Sequence, residues 1–181
     1  MPRILVVFAL RQEGVSFERK LAGRTLKSGM VLGHLGSQQV AIGWLGTGVR
    51  DEAQFKSILS DSGIGLVINS GFAGAVRTLL EPGDFVLAEN FSSPELVERL
   101  EKERAFAASG RFVTVDTVAD SAAKMRINRE GNIIALDMES AKVAAICRKL
   151  CVPLITARMI SDRFDESIPG VFLGKGIQRR K

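Results

Sequence analysis

Apolar and polar positions along the chain follow two periods, and strand-like runs alternate with helix-like ones. Ile4 to Ala9 is an uninterrupted apolar run rich in branched residues, the pattern of a strand covered on both faces. It delivers Arg11, Gln12 and Glu13 to its carboxyl end. Met30 to Leu35 and Gln39 to Leu45 flank Gly36-Ser37, which has the composition of a hairpin turn, so an antiparallel pair is predicted there. Gly46-Thr-Gly48 precedes a predicted helix from about Arg50 to Ser60, and a glycine-flanked turn entering a helix offers backbone N–H groups to an anion or a hydroxyl. The turn lacks the lysine of a phosphate-binding loop and the third glycine of a dinucleotide fingerprint, so a plain tight turn is the favoured reading.

Gly65 to Ser70 reads as another buried strand, ending in the glycine-rich turn Asn69-Ser-Gly-Phe-Ala-Gly74. Glu81-Pro-Gly-Asp84 is a turn by composition and Phe85 to Ala88 a strand. Ser92-Ser-Pro94 supplies an N-cap and a first-turn proline for a helix carrying Leu96, Val97 and Leu100, whose charged run from Glu98 to Arg104 is a solvated surface. Phe112 to Val115 is a short strand, with a small helix around Ser121 to Ile127. Asn132 to Leu136 is a strand that hands over to a helix from Met138 to Leu150, on which Met138, Ala141, Ala145 and Leu150 are expected to face the sheet. Pro153 to Ile160 is the last strand and ends at Ser161-Asp162. The expected fold is three-layer α/β/α, with a central mixed, largely parallel sheet, in a single domain over residues 1–181.

Composition narrows the function classes. Hydrophobic residues at 46% and charged residues at 25% are those of a globular chain, and no apolar run approaches the roughly 20 residues of a membrane helix. The N-terminal apolar run enters Arg11-Gln-Glu13 without the small-residue cleavage site of a signal peptide. The net charge of +5 comes from scattered residues, apart from Arg179-Arg-Lys181, so it favours solubility and anionic ligands over nucleic acid. Cys147 and Cys151 lack the second pair or nearby His of a metal set, and imply reduced, structural thiols in a cytoplasmic protein. His34, the single histidine, reads as a surface strand residue.

Polar groups recur at strand ends: Glu13, the Asn69–Gly74 turn, Asp137 with Glu139, and Arg158 with Asp162. In an α/β sheet such ends converge on one crevice, although charges that merely cap helices would produce the same spacing.

The set Phe8-Ala-Leu-Arg-Gln-Glu13, Asn69-Ser-Gly-Phe-Ala-Gly74, Glu81-Pro-Gly-Asp84, Leu136-Asp-Met-Glu-Ser-Ala141 and Val152-Pro with Arg158-Met-Ile-Ser-Asp162 resembles the nucleoside phosphorylase superfamily. Within it the pattern is most similar to the 5′-methylthioadenosine/S-adenosylhomocysteine nucleosidases. The resemblance implies hydrolysis of a purine nucleoside or thionucleoside by a cytoplasmic homodimer, without cofactor or metal. It implies that Met138 and Glu139 hold the ribose, that Glu13 orients and deprotonates the attacking water, that Arg158 positions that water, and that Asp162 protonates the purine ring. Gly74, Val118, Ala119, Asp137 and Ser161 are the implied further substrate contacts, with Val118 where an aromatic often stacks on the base. The phosphorylases of this superfamily carry an arginine and a serine where this chain has Asn69 and Phe72, which favours water over phosphate as acceptor. Arg11 or Arg50 could replace the lost cation, so phosphorolysis stays as an alternative, beside nucleoside binding without turnover. The resemblance also implies that Phe72 replaces a small polar residue beside the water site. It further implies that a lid segment between Phe91 and Pro94 is nearly absent and that the C-terminal helix is curtailed after Pro169.

Overall fold

The computed structural model describes residues 2–61, 63–103, 105–129 and 131–167. Two half-sheets share one long strand. β1 (Arg3–Phe8) lies between β4 (Gln38–Trp44) and β5 (Ile64–Asn69), parallel to both. β3 (Met30–Leu35) pairs antiparallel with β4 across the predicted hairpin, and β2 (Ala22–Lys27) adds an outer antiparallel strand. The second half holds β6 (Phe72–Ala75), β7 (Phe85–Ala88), β8 (Ala108–Thr114) and β9 (Ile133–Asp137). β10 (Leu154–Asp162) joins the halves: its first residues pair with β5, its middle with β7 and its end with β6. Because β7 returns to β10, the strands β10, β6, β9, β8 and β7 close into a ring. The sheet is mixed, as expected, and the ring is the feature the sequence pattern did not predict.

Helices cover the sheet. α2 (Glu52–Asp61) and α5 (Ser140–Lys149) bury Phe55, Leu59, Val143, Ile146 and Cys147 against Leu5, Val7 and Val67. A second cluster of Val6, Phe8, Leu21, Val31, Val40 and Ile42 fills the other face, beneath α1 (Arg11–Glu18). The ring is lined by Ala73, Ala75, Ala88 and Ala135 with Val86, Phe112 and Ile160, and α4 (Ser121–Arg129) packs outside it. Small residues suit a ring interior, where inward side chains from every strand compete for one space. Among the described residues no helix is long and apolar enough to cross a membrane.

Several expectations are corrected. α1 and β2 escaped the pattern: α1 has little apolar face, and every residue of β2 is exposed, so neither shows a period. Gly14 is fixed by close approach, since a Cβ there would lie 2.8 Å from the Phe8 ring. The turn expected over Asn69–Gly74 is shorter, because Phe72–Ala75 forms β6 and only Ser70 and Gly71 turn.

On α5 the buried face is Ser140, Val143, Ala144 and Cys147, while Ala145 and Leu150 are exposed. The misreading followed the apolar residues; Ser140 takes the buried position because its hydroxyl serves a polar network described below. Ser93 occupies the N-cap of α3 (Pro94–Lys102) without capping it. Its hydroxyl instead accepts from Leu154 N–H (3.0 Å), and that of Ser92 accepts from Thr156 N–H (2.9 Å), which ties this helix entry to β10.

Candidate active site

The site forms where β10 leaves β5 for the ring. Arg158 stands at that split and is fully buried. Burying a guanidinium requires partners for its fork of donors, and the surrounding chain supplies them. Nε donates to Asp137 Oδ2 (3.0 Å), Nη1 to the Ser70 carbonyl (2.7 Å) and Nη2 to Asn69 Oδ1 (3.2 Å), with Glu139 Oε2 at 3.5 Å. Ser140 Oγ donates to Asp137 and accepts from Asn69 Nδ2 (3.0 Å). Thr114 Oγ1 donates to Asp137 Oδ1 (3.0 Å) and accepts from Ala141 N–H (2.9 Å). Asp137 is therefore the anchor of Arg158.

Glu13 and Glu139 flank this cation. The third residue of α1, Glu13, uses Oε2 to accept from the N–H groups of Ala9 (3.0 Å) and Leu10 (3.1 Å). Gly71, at φ 132°, lies between Glu13 and Arg158; a Cβ there would fall 2.7 Å from Arg158 Nη1 and 2.9 Å from Glu13 Oε2. No larger residue fits that turn without displacing one charge or the other. Burial raises the Glu13 carboxyl above its ordinary value; the Leu10 N–H and Arg158 oppose the shift, and neighbouring Glu139 adds to it. Glu139 at the N-cap of α5 is also raised, chiefly by burial, against the pull of Arg158 and of the Gly48 N–H.

That N–H bond revises the first glycine turn. Gly48 N–H donates to Glu139 Oε1 (3.0 Å), so the turn holds a carboxylate of its own chain. Beside it lies an open cleft of about 610 Å³ lined by Thr47, Gly48, Arg50, Asp116, Met138 and Lys142. Of the catalytic and substrate-binding residues that the resemblance implies, Met138 lines this cleft, beside Gly48 of the glycine turn and Arg50.

Asp162 forms a second centre at the end of β10. Its Oδ2 accepts from the ammonium of Lys124, which is fully buried on α4, and its Oδ1 accepts from the Ser161 hydroxyl. A Cβ on Gly74 would lie 3.2 Å from Asp162 Oδ2 and 3.3 Å from Lys124 Cε, so glycine leaves the space this pair occupies. Ala119 is buried with Val76, Ile133 and Leu136, and Val118 beside it is half-buried. Phe72 is in register with Met159, and both are exposed, on the strand face opposite to that of Arg158. The aromatic ring therefore lies away from the Arg158 network, which corrects the expectation that it borders the water site.

Ser140, Thr114 and Lys124 were not singled out from the sequence. Ser140 sits within the Asp-Met-Glu-Ser motif and could have been found there; Thr114 and Lys124 carry no local signal. Among the described residues no cluster of three His, Cys, Asp or Glu is placed to hold a metal.

Residues 89–172 match the family model described as the phosphorylase superfamily. The chain has the fold of that superfamily. It superposes on the 5′-methylthioadenosine/S-adenosylhomocysteine nucleosidase of Colwellia psychrerythraea in complex with adenine, at 24% identity and TM-score 0.75, over 90% of this chain and 83% of that one. The Neisseria meningitidis nucleosidase in complex with methylthio-immucillin-A gives 21% identity and TM-score 0.77, over 91% and 87%. The S-adenosylhomocysteine nucleosidase of Streptococcus pyogenes, in complex with 5-methylthiotubericidin, gives 23% and 0.76, over 90% and 84%. The resemblance read from the motifs, and the nucleoside phosphorylase-like fold it implied, are borne out.

Proposed function

We propose that this single-domain protein hydrolyses the N-glycosidic bond of a purine nucleoside or thionucleoside. One observation carries the reading: two carboxylates, Glu13 and Glu139, flank a single guanidinium, and the glycine between Glu13 and Arg158 leaves no room for a side chain. Cleavage of the bond builds positive charge on the sugar, and carboxylates beside it lower the barrier. Glu13 has one oxygen fixed by two backbone N–H groups, which leaves Oε1 to take a proton from water. Its raised pKa makes it a stronger base for that step. Glu139 accepts from the ribose hydroxyls with Met138 at the cleft wall, and Asp162 faces the base. Arg158 fixes the carboxylates in this reading, because its donors are already engaged within the protein. The resemblance extends the reading to a cytoplasmic homodimer that needs no cofactor.

Water is favoured over phosphate on the same ground. Asn69 occupies the position of the missing arginine with its side chain bonded to Ser140 and Arg158, and Arg11 lies over the Trp44 ring at 4.8 Å, which leaves Arg50 at the cleft wall as the cation that keeps phosphorolysis an alternative. A second reading, nucleoside binding without turnover, is favoured by one observation: only Ser92 and Ser93 separate the turn Glu89–Phe91 from α3, where the resemblance leads one to expect a longer lid segment. A site open to solvent positions its substrate less tightly. The experiment that tests the proposal incubates the protein with a panel of purine nucleosides, with and without phosphate, and identifies the sugar product. Free ribose or its 5′-thio derivative, formed equally without phosphate, is the expected result. A sugar 1-phosphate selects phosphorolysis, and ligand-induced stabilisation without any base release selects the binder.

A further inference from the structure

Lys124 is a fully buried lysine in the middle of a helix whose other described residues are partly or wholly exposed. Its three ammonium protons all have acceptors: Asp162 Oδ2, the Arg163 carbonyl (2.6 Å) and the Glu166 carbonyl (2.7 Å). Asp162 is already bonded by Ser161, and desolvating a buried ion pair offsets most of its attraction, so the charge of Lys124 adds little net stability beyond its two carbonyl bonds. Its presence calls for a reason in the chemistry of Asp162. An acid that protonates a purine has to carry a proton, and the proton-bearing group in contact with Asp162 Oδ2 is Lys124.

We infer that Lys124 is a positioning residue that stores the proton which Asp162 passes to the purine ring; the inference rests on the nucleosidase reading above. As the N-glycosidic bond breaks, its electron pair moves into the purine. A proton shifts from Lys124 Nζ to Asp162 Oδ2, and the hydroxyl so formed turns to the ring nitrogen and gives that proton up. The purine leaves as a neutral base, Asp162 returns to carboxylate, and the neutral amine of Lys124 regains a proton from solvent. Of the charged groups nearby, Arg163, Glu166 and Asp120 are engaged elsewhere. Arg163 pairs with Glu81 (3.0 Å) and Asp165 (3.7 Å), Glu166 accepts from Arg163 N–H (3.1 Å), and Asp120 accepts from Ala123 N–H (2.8 Å).

The test uses adenine, which requires no turnover. Calorimetric titrations in buffers of different ionisation enthalpy count the protons exchanged on binding, for wild type, Lys124→Met, Asp162→Asn and the double variant. In the wild type the proton comes from inside the pair, so adenine binding exchanges none and holds constant between pH 6 and pH 8. Lys124→Met has to draw a proton from solvent, so it takes up one on binding adenine and binds it more weakly. In the Asp162→Asn background, where an amide donates permanently, Lys124→Met changes adenine affinity less than about twofold. Proton-neutral binding by Lys124→Met, or the same loss in both backgrounds, overturns the inference. Lys124→Gln, which still reaches the two carbonyls, replaces Lys124→Met if the latter does not fold. A wild-type protein that binds adenine in this pattern but releases no base would sink the nucleosidase reading and leave the proton store standing; failure to bind adenine counts against both.

Discussion

Replacing Arg158 with methionine removes the cation on which the site is built and keeps most of the side-chain volume. Asp137 and Glu139, at 4% and 5% exposure, then face a low-dielectric interior without their counter-charge. The carbonyl of Ser70 and the amide oxygen of Asn69 lose donors at 2.7 and 3.2 Å. Breaking a buried pair by deleting one partner costs about 3–5 kcal/mol, and the full figure applies here because solvent does not reach the guanidinium. At about 2–4 °C per kcal/mol for a chain of this size, the expected loss in Tm is roughly 6–20 °C. Urea denaturation followed by circular dichroism measures the loss in free energy, and a thermal melt the shift in Tm. Asp137→Asn in the Arg158→Met background should return part of the loss, with a coupling of about 1–3 kcal/mol between the two positions. A loss below about 1 kcal/mol, or additive effects, would refute the claim that one guanidinium holds these carboxylates together.

Two further outcomes follow from the titrating groups. Glu13→Gln keeps an acceptor for the Ala9 and Leu10 N–H groups but cannot ionise. The folded protein holds the Glu13 proton more tightly than the unfolded chain, so wild-type stability falls as pH rises from the ordinary carboxylate value through the raised one. The variant should match wild type below that window and exceed it at pH 7; chemical denaturation at pH 4 and pH 7 checks the sign, and a variant less stable at pH 7 contradicts it. Native protein should react with a thiol reagent at exposed Cys151 alone, because burial pushes the Cys147 thiol up to about 12. Mass spectrometry of the labelled protein finds two adducts only after unfolding if this is right.

The sequence made the strands with unbroken apolar runs legible, since such a run leaves little else that β1 or β5 could be. It made Asp137, Glu139, Arg158 and Asp162 visible because charge at the edge of such a run stands out. Elements held by tertiary contact escaped: α1 is set by Gly14 against Phe8 and by the carboxylate of Glu13 on its own first turn, and neither leaves a periodic trace. The face of α5 was misjudged because Ser140, a polar residue, is buried to complete the Arg158 network. Lys124 was least legible. In Ser-Ala-Ala-Lys-Met-Arg-Ile-Asn-Arg it looks like one more solvated cation, and its partner lies 38 residues away. Closure of the ring by β7 on β10 likewise depends on pairing that no local pattern encodes.

The measurement that tests the central claim most directly is release of free base from methylthioadenosine in phosphate-free buffer, by wild type and by Glu13→Gln. The account predicts phosphate-independent release by the wild type and a fall of about 10²- to 10⁴-fold in kcat for the variant, the usual contribution of a general base. Release that requires phosphate, or that survives unchanged in Glu13→Gln, would contradict it.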